Sequence, residues 1–192
     1  LYFGAGAYAV GLLVLVTGVF GVFMSLDLFW FFLFYEIAVL PMYLLIGIWG
    51  TSTKERAKEY SAMKLTIYLL LGSAFILLGL LAMYFQVTPH TFDLERLAAA
   101  GFPARFQTIF YPVLFIGFGI LAGLWPFHTW SPDGHAAAPS SVSMLHAGVL
   151  MKLGAYGIIR VALGRLPEGA KVWAYPFALL TIVNIVYGAL SA

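Results

Sequence analysis

The stretch "LFWFFLFYEIAVLPMYLLIGIW", residues 28–49, is almost entirely apolar and carries a single charge, Glu36. A helix of about 20 such residues crosses the hydrocarbon core of a bilayer. The pattern therefore predicts a transmembrane helix, and Asp27 in front of it is a suitable N-cap residue. A carboxylate inside such a helix is costly unless it has a partner or a purpose, which makes Glu36 the first candidate functional residue.

The whole chain has the composition of a membrane protein. Hydrophobic residues make up 62% of it and charged residues 9%, whereas soluble domains carry about 25% charged residues. The net charge of +2 is too small to indicate nucleic acid as a partner. The absence of cysteine excludes disulfides, thiolate metal sites and cysteine-held iron–sulfur clusters. The apolar ends and the initial Leu1 predict a fragment of a longer membrane protein.

Apolar runs divide the chain into transmembrane segments. The predicted spans are 1–25, 28–49, 58–86, 107–125, 139–163 and 171–192, with a broken segment at 126–138. Residues 51–60 form a polar link that winds into the third helix, 88–106 form a longer link with a short surface helix around Leu94, and 166–171 form a tight turn. No segment alternates as a barrel strand would. The predicted fold is an all-α polytopic transmembrane helix bundle with one broken helix, in a single domain.

Three charged residues fall inside predicted spans: Glu36, Lys64 and Lys152. Glu36 lies roughly 20 Å from the end of its helix, at about 1.5 Å per residue. An ionisable group at that depth costs roughly 2.5–3.5 kcal/mol on insertion scales. Glu36 and Lys64 lie on consecutive antiparallel helices, so we predict an ion pair between them. Such a pair is either purely structural or part of a transport path, and the sequence leaves both interpretations open.

Lys152 favours the transport interpretation, because no acidic residue is available to pair with it. It lies in "GVLMKLGAYG", residues 148–157, on a helix face shared with Gly148 and Tyr156. Burial disfavours the charged form of an amine, so Lys152 is a candidate proton relay. Pro41 leaves the carbonyl of Ile37, next to Glu36, without its helical hydrogen bond, which either attracts an ordered water or marks an ordinary kink.

The stretch "GLWPFHTWSPDGHAAAPSS", residues 123–141, is too interrupted to form one continuous helix. The helix-breaking residues in it are Gly123, Pro126, Pro132, Gly134 and Pro139. Discontinuous helices are typical of transport sites, where irregular backbone lines a water-filled cavity. His128, Asp133 and His135 lie between the breaks, and their spacing matches no strong metal motif. We therefore expect histidines in a water path, with His146 as a further member, and no metal.

Three stretches resemble one known family: "FYEIAVLPMYLLIGIWG" (34–50), "AMKLTIYLLLGSA" (62–74) and "WPFHTWSPDGHAAAPSSVSMLHAGVLMKLGAYGIIR" (125–160). They resemble the subunit M family of NADH-quinone oxidoreductase (respiratory complex I), whose members are antiporter-like proton-pumping subunits. The likeness covers nearly the whole chain, which would correspond to the fourth to ninth of about fourteen helices. "PFHTWSPDGHAAAPS" (126–140) is the most specific part, with Ser131 and Gly134 in place of the family's usual leucine and alanine.

The resemblance assigns roles to individual residues. Glu36 matches the family's glutamate on the fifth helix, and Lys64 matches the lysine on the sixth helix that pairs with it. Lys152 matches the lysine on the eighth helix that passes protons laterally, and His128 and His135 match histidines around the broken seventh helix. Gly123, Pro126, Pro132 and Asp133 would form the gate at that break. The family usually has a lysine where this chain has Leu121, so the central pump lysine is absent or moved.

The resemblance also implies a function for the chain. It would be a proton-translocating membrane subunit of a translocase that oxidises NADH and reduces quinone elsewhere in the complex. It would hold no redox site, cofactor or metal itself, with flavin and iron–sulfur clusters in partner subunits. Its partners would be neighbouring antiporter-like membrane subunits, the bilayer, protons and water, in a prokaryotic plasma membrane or the membrane of an energy-coupling organelle. The alternatives are a cation/proton antiporter or membrane-bound hydrogenase subunit, and a non-pumping structural subunit.

Overall fold

The structure is a computed structural model that describes residues 2–52 and 57–191. It consists of helices, and no strand is present in those two ranges. The helices are α1 (Tyr2–Met24), α2 (Leu28–Trp49), α3 (Lys58–Gln86), α4 (Leu94–Ala100), α5 (Ala104–Ala122), α6 (Trp130–Ala137), α7 (Ser140–Leu163) and α8 (Pro167–Ser191). All but α4 and α6 are long and apolar enough to cross a membrane. The predicted all-α transmembrane bundle with a broken helix is confirmed.

The observed helix ends differ from the predicted spans at two places. Helix α5 begins at Ala104 and ends at Ala122, whereas the sequence predicts a span over 107–125. The predicted start is late because the first turn of α5 contains polar residues, which do not belong to the apolar run. Helix α8 begins at Pro167, inside the stretch predicted to be a tight turn. A proline in the first turn supports a helix start, since its fixed φ suits the helix and its missing N–H is not needed there. Part of the 51–60 link lies outside the described residues.

Asp27 begins α2 as its position predicted. Its backbone is extended (φ −124°, ψ 133°), and its carboxylate accepts hydrogen bonds from the amides of Phe29 at 2.8 Å and Trp30 at 3.3 Å. The neighbouring Leu28 amide donates to the Phe92 carbonyl at 2.9 Å. This contact ties the start of α2 to the link that carries α4. The predicted surface helix is therefore present, and it begins at Leu94.

Helix α5 lies at the centre of the bundle and packs against α3, α7 and α8. Close approach to α7 is allowed by Gly154, where an added Cβ would lie 2.5 Å from the carbonyl oxygen of Phe118. Close approach to α3 is allowed by Gly117, where a Cβ would lie 3.0 Å from the carbonyl oxygen of Gly72. Small residues at such crossings are the usual way for membrane helices to pack. They bring α3 and α7 to the two sides of the segment that follows α5.

Helix α7 is not a regular α-helix along its length. Residues His146–Leu150 and Ile158–Leu163 form π-helical segments, on either side of the α-helical turns Met151–Gly157. Such segments each accommodate an extra residue and occur frequently at functional sites. Lys152 lies in the first turn after the first of them.

Candidate functional site

The broken segment begins where α5 ends. Gly123 adopts a left-handed conformation (φ 75°), which favours glycine, and residues 124–129 then form irregular turns before α6. Pro139 separates α6 from α7. The prediction that Pro132 also breaks the chain is wrong, because Pro132 and Gly134 lie inside α6. Pro132 is in the first turn of that helix, where its missing N–H has no helical acceptor to lose.

Helix α3 holds the broken segment through two polar contacts. The ammonium of Lys64 lies 2.8 Å from the Asp133 carboxylate, and both side chains are largely buried, with relative exposures of 18% and 14%. The hydroxyl groups of Tyr68 and Thr129 lie 3.1 Å apart. Lys64 and Tyr68 are four residues apart on α3, so their side chains lie on the same face of that helix. Thr129 and Asp133 are likewise four residues apart at the start of α6. The two contacts therefore join facing turns of α3 and α6.

Glu36 is not the partner of Lys64, and the predicted ion pair between them is wrong. The half-buried Glu36 carboxylate lies beside Ser73 of α3, and its Oε1 atom is buried without a hydrogen-bond partner among the described residues. Ser73 follows Lys64 by nine residues, which corresponds to about 13 Å along a helix axis. The sequence argument placed Glu36 and Lys64 at similar membrane depth, but the register between α2 and α3 separates them.

The structure brings His135 and His146 together as a stacked pair. Their ring centroids lie 4.3 Å apart with the planes 21° from parallel, and Trp130 also stacks on His146, with the centroids 5.3 Å apart. The Nδ1 atom of His135 hydrogen-bonds the Ser143 hydroxyl at 2.8 Å. His146 is fully buried, and neither of its ring nitrogens has a hydrogen-bond partner among the described residues. The stack joins α6 to the first π-helical segment of α7.

His128 faces a different helix from the stacked pair. Its ring contacts Tyr187 of α8, with the centroids 4.8 Å apart and the planes at 68°. Its Nδ1 atom is buried and has no partner among the described residues. The broken segment thus presents His128 to α8 and His135 to α7, so the structure does not bring all the predicted histidines into one cluster.

Lys152 is exposed on the surface of the described bundle, so the burial predicted for it is wrong for this part of the protein. Its ammonium donates a hydrogen bond to the Ala147 carbonyl, 2.7 Å away in the first π-helical segment. No carboxylate in the described ranges forms an ion pair with it. Its charge is nevertheless close enough to His135 to act on that ring electrostatically. Lys152 is therefore connected to the broken segment from the α7 side.

The structure also shows site residues that the sequence analysis missed. They are Tyr68, Thr129, Ser143, Asn184 and Tyr187. Tyr68 was detectable by its spacing of four from Lys64, and Asn184 by being an amide inside an apolar span.

Leu121, at the position of the family lysine, is 1% exposed in the apolar core. Within the described residues, no group of three or more His, Asp or Glu side chains is placed to hold a metal ion.

Comparison with known proteins identifies similar chains. The model of the family described as "NADH:quinone oxidoreductase/Mrp antiporter, TM" matches residues 25–192. The chain is 42% identical over 172 residues to NAD(P)H-quinone oxidoreductase chain 4 1 of a Synechococcus strain, covering 90% of this chain and 32% of the relative. It is 39% identical over 181 residues to NAD(P)H-quinone oxidoreductase chain 4 of Gloeobacter violaceus, covering 94% and 34%. The chain thus spans about a third of the length of these relatives.

Solved membrane complexes contain the same fold. A chain of respiratory complex I from Thermus thermophilus with bound NADH matches with a TM-score of 0.72 at 23% identity, covering 88% of this chain and 40% of that chain. A chain of the archaeal membrane-bound sulfane sulfur reductase matches with a TM-score of 0.77 at 24% identity, covering 89% and 35%. The fold of the chain is therefore shared with chains of two different kinds of membrane complex.

Proposed function

The chain belongs to the NADH:quinone oxidoreductase/Mrp antiporter transmembrane family, and from that premise we propose that it is a proton-translocating part of an NAD(P)H-quinone oxidoreductase complex. The chain is an integral membrane protein, with six helices of spanning length. Its relatives are chains of NAD(P)H-quinone oxidoreductases. Within the family we assign it to the subunit M type, on the strength of the motifs around Glu36, Lys64 and Lys152.

The observation that carries the proposal is a series of polar groups on successive helices of an apolar bundle. Glu36 lies on α2, the Lys64–Asp133 pair joins α3 to α6, and the His135–His146 stack joins α6 to α7. Two of these groups keep buried atoms without partners, the Glu36 carboxylate and the His146 ring. A bundle that needed charges only for packing would satisfy them. Ionisable residues inside a membrane are rare, and they mark proton relays and other transport paths.

In the proposed path, protons move along this series through the side chains and the water between them. Helix α6 carries both Asp133 and His135, and these two residues face different helices: the ion pair lies towards α3 and the histidine stack towards α7. Lys152 continues the path on α7. Because a lysine facing lipid is costly, we propose that another part of the complete protein, or a neighbouring membrane subunit, covers it.

The path differs from the family pattern at the end of α5. Leu121 can neither bind nor release a proton, so the family's lysine at that position has no equivalent here. We propose that the buried His146 and the break at Gly123–Pro126, with His128 beside it, provide the replacement, since one ring nitrogen of a neutral imidazole can accept a proton while the other donates one. The redox reactions belong to partner subunits, which would hold the flavin and the iron–sulfur clusters, and this chain itself binds no redox cofactor.

Replacing Lys152 tests the proposed function. In vesicles that contain the intact complex, Lys152→Met should lower proton pumping for each electron pair that the complex transfers. Lys152→Arg should lower it as well, because guanidinium stays protonated. Lys171→Met is the matched control, since Lys171 pairs with Glu168 on the surface and is 73% exposed. Normal pumping by the arginine variant would show that only a positive charge is needed, and normal pumping by both variants would refute the proposal.

Exchange of sodium for protons is the second candidate function, because the matching family also includes Mrp antiporters. It predicts sodium-dependent proton movement in vesicles that receive no electron donor. The proton-pump proposal predicts none under those conditions.

A further inference from the structure

Helix α8 runs alongside α5 and extends past its end. The indole N–H of Trp173 donates to the Thr108 carbonyl at 2.9 Å, and the ring of Phe177 stacks on Phe115 at 3.9 Å. Contacts therefore advance along both helices in the same direction, as expected for parallel neighbours. Since α5 ends at Ala122, the next part of α8 lies beside the broken segment.

Asn184 of α8 forms a hydrogen bond with the backbone of the break. Its side-chain carbonyl oxygen accepts a hydrogen bond from the backbone amide of Trp125 at 3.0 Å. The left-handed Gly123 ends α5 just before Trp125, so this amide has left the helical hydrogen-bond ladder. Inside a membrane, a backbone N–H outside the helical ladder needs a protein partner, because the hydrocarbon core contains no bulk water. Asn184 supplies that partner from a helix 59 residues away along the chain.

Tyr187 lies one turn beyond Asn184 on the same side of α8 and packs edge-on against His128. His128 follows Trp125 by three residues in the break, so both contacts hold the same short piece of backbone. Asn184, which accepts the hydrogen bond from the Trp125 amide, is the only asparagine in the chain. After its charged first turns, α8 is mostly apolar and largely exposed, apart from its packing on α5.

We propose that Asn184 is a positioning residue for the broken segment, which fixes the backbone at Trp125 and thereby sets the place of the His128 ring. The consequence for proton transfer rests on the proposed function of the break. The positioning itself does not, and it can be measured separately.

The first measurement is amide hydrogen exchange in the purified intact complex. Asn184→Leu removes the acceptor while keeping the side-chain size similar, and it should speed exchange of the peptide that contains Trp125 by about five- to thirtyfold. Asn184→Asp keeps an acceptor oxygen and should leave the exchange close to that of the unaltered protein. Thr181→Val is the control, because the Thr181 hydroxyl donates to the Ala178 carbonyl of its own helix and has no other hydrogen bond among the described residues. Unchanged exchange in Asn184→Leu would overturn the proposal.

The second measurement is pumping by the same complexes in vesicles. Asn184→Leu should lower pumping and change its pH profile, Asn184→Asp should restore both, and His128→Leu combined with Asn184→Leu should pump no less than His128→Leu alone. Additive losses would overturn the idea that Asn184 acts through His128. If His128→Leu pumps normally while exchange rises in Asn184→Leu, the proposed role of the break in proton transfer fails and Asn184 still holds the break.

Discussion

Replacing Asp133 by asparagine tests whether the Lys64–Asp133 ion pair behaves as a buried pair. Asparagine has nearly the same shape as aspartate and still offers an oxygen to the Lys64 ammonium, but it removes the negative charge. The variant therefore leaves an ammonium group in a largely buried place without its counter-charge. We expect a substantial loss in the free energy of unfolding.

The magnitude follows from the distance and the exposure. At 2.8 Å, two unit charges attract each other by about 6 kcal/mol at an effective dielectric constant near 20. Desolvation of both groups offsets much of this, and removal of one partner from a buried pair typically costs about 3–5 kcal/mol. Because the side chains remain 18% and 14% exposed and asparagine keeps a hydrogen bond, we expect the lower end, about 3 kcal/mol.

The chain contains its own comparison pair. Lys171 and Glu168 are 2.7 Å apart, but their side chains are 73% and 53% exposed, and exposed pairs contribute about 0–1 kcal/mol. Reversible unfolding of the full-length subunit by SDS in mixed micelles should show a much larger loss for Asp133→Asn than for Glu168→Gln. Equal small losses in the two variants would refute the reasoning, because burial would then have no effect on the pair.

Two further predictions concern the groups that lack partners. Glu36→Gln should leave the free energy of unfolding unchanged or slightly higher, since Oε1 of Glu36 is buried without a hydrogen bond, while pumping falls strongly in an assembled complex; a large loss of assembly would instead show a structural role. His146→Phe should likewise keep the subunit stable, because the aromatic stack survives and two unsatisfied nitrogens disappear, and it should lower pumping in vesicles; normal pumping would exclude His146 from the path.

The sequence predicted the helices well, because each long apolar run has few alternatives to spanning a membrane. The N-cap at Asp27 and the break near Gly123 were also predictable, since both depend on local backbone chemistry. The ion-pair partner of Lys64 was not, because it depends on the axial register of α3 against α2 and α6. The spacing of apolar residues along a helix and the predicted membrane depth of a side chain do not determine that register. Asp133 had been assigned to the gate alone, and only the packed structure brings it to Lys64.

The two π-helical segments of α7 influence the direction in which Lys152 faces. Each segment holds one residue more than a regular helix would, so regularising the His146–Leu150 segment rotates everything after it by about 100°. If the bulge migrated past Lys152 along the helix, the ammonium would turn from the outer surface towards a neighbouring helix while both ends of α7 stayed in place. Deleting one residue from the His146–Leu150 segment would keep Lys152 in the rotated orientation permanently. A displacement by one backbone hydrogen-bond step in α7 would therefore change the direction in which the Lys152 side chain faces.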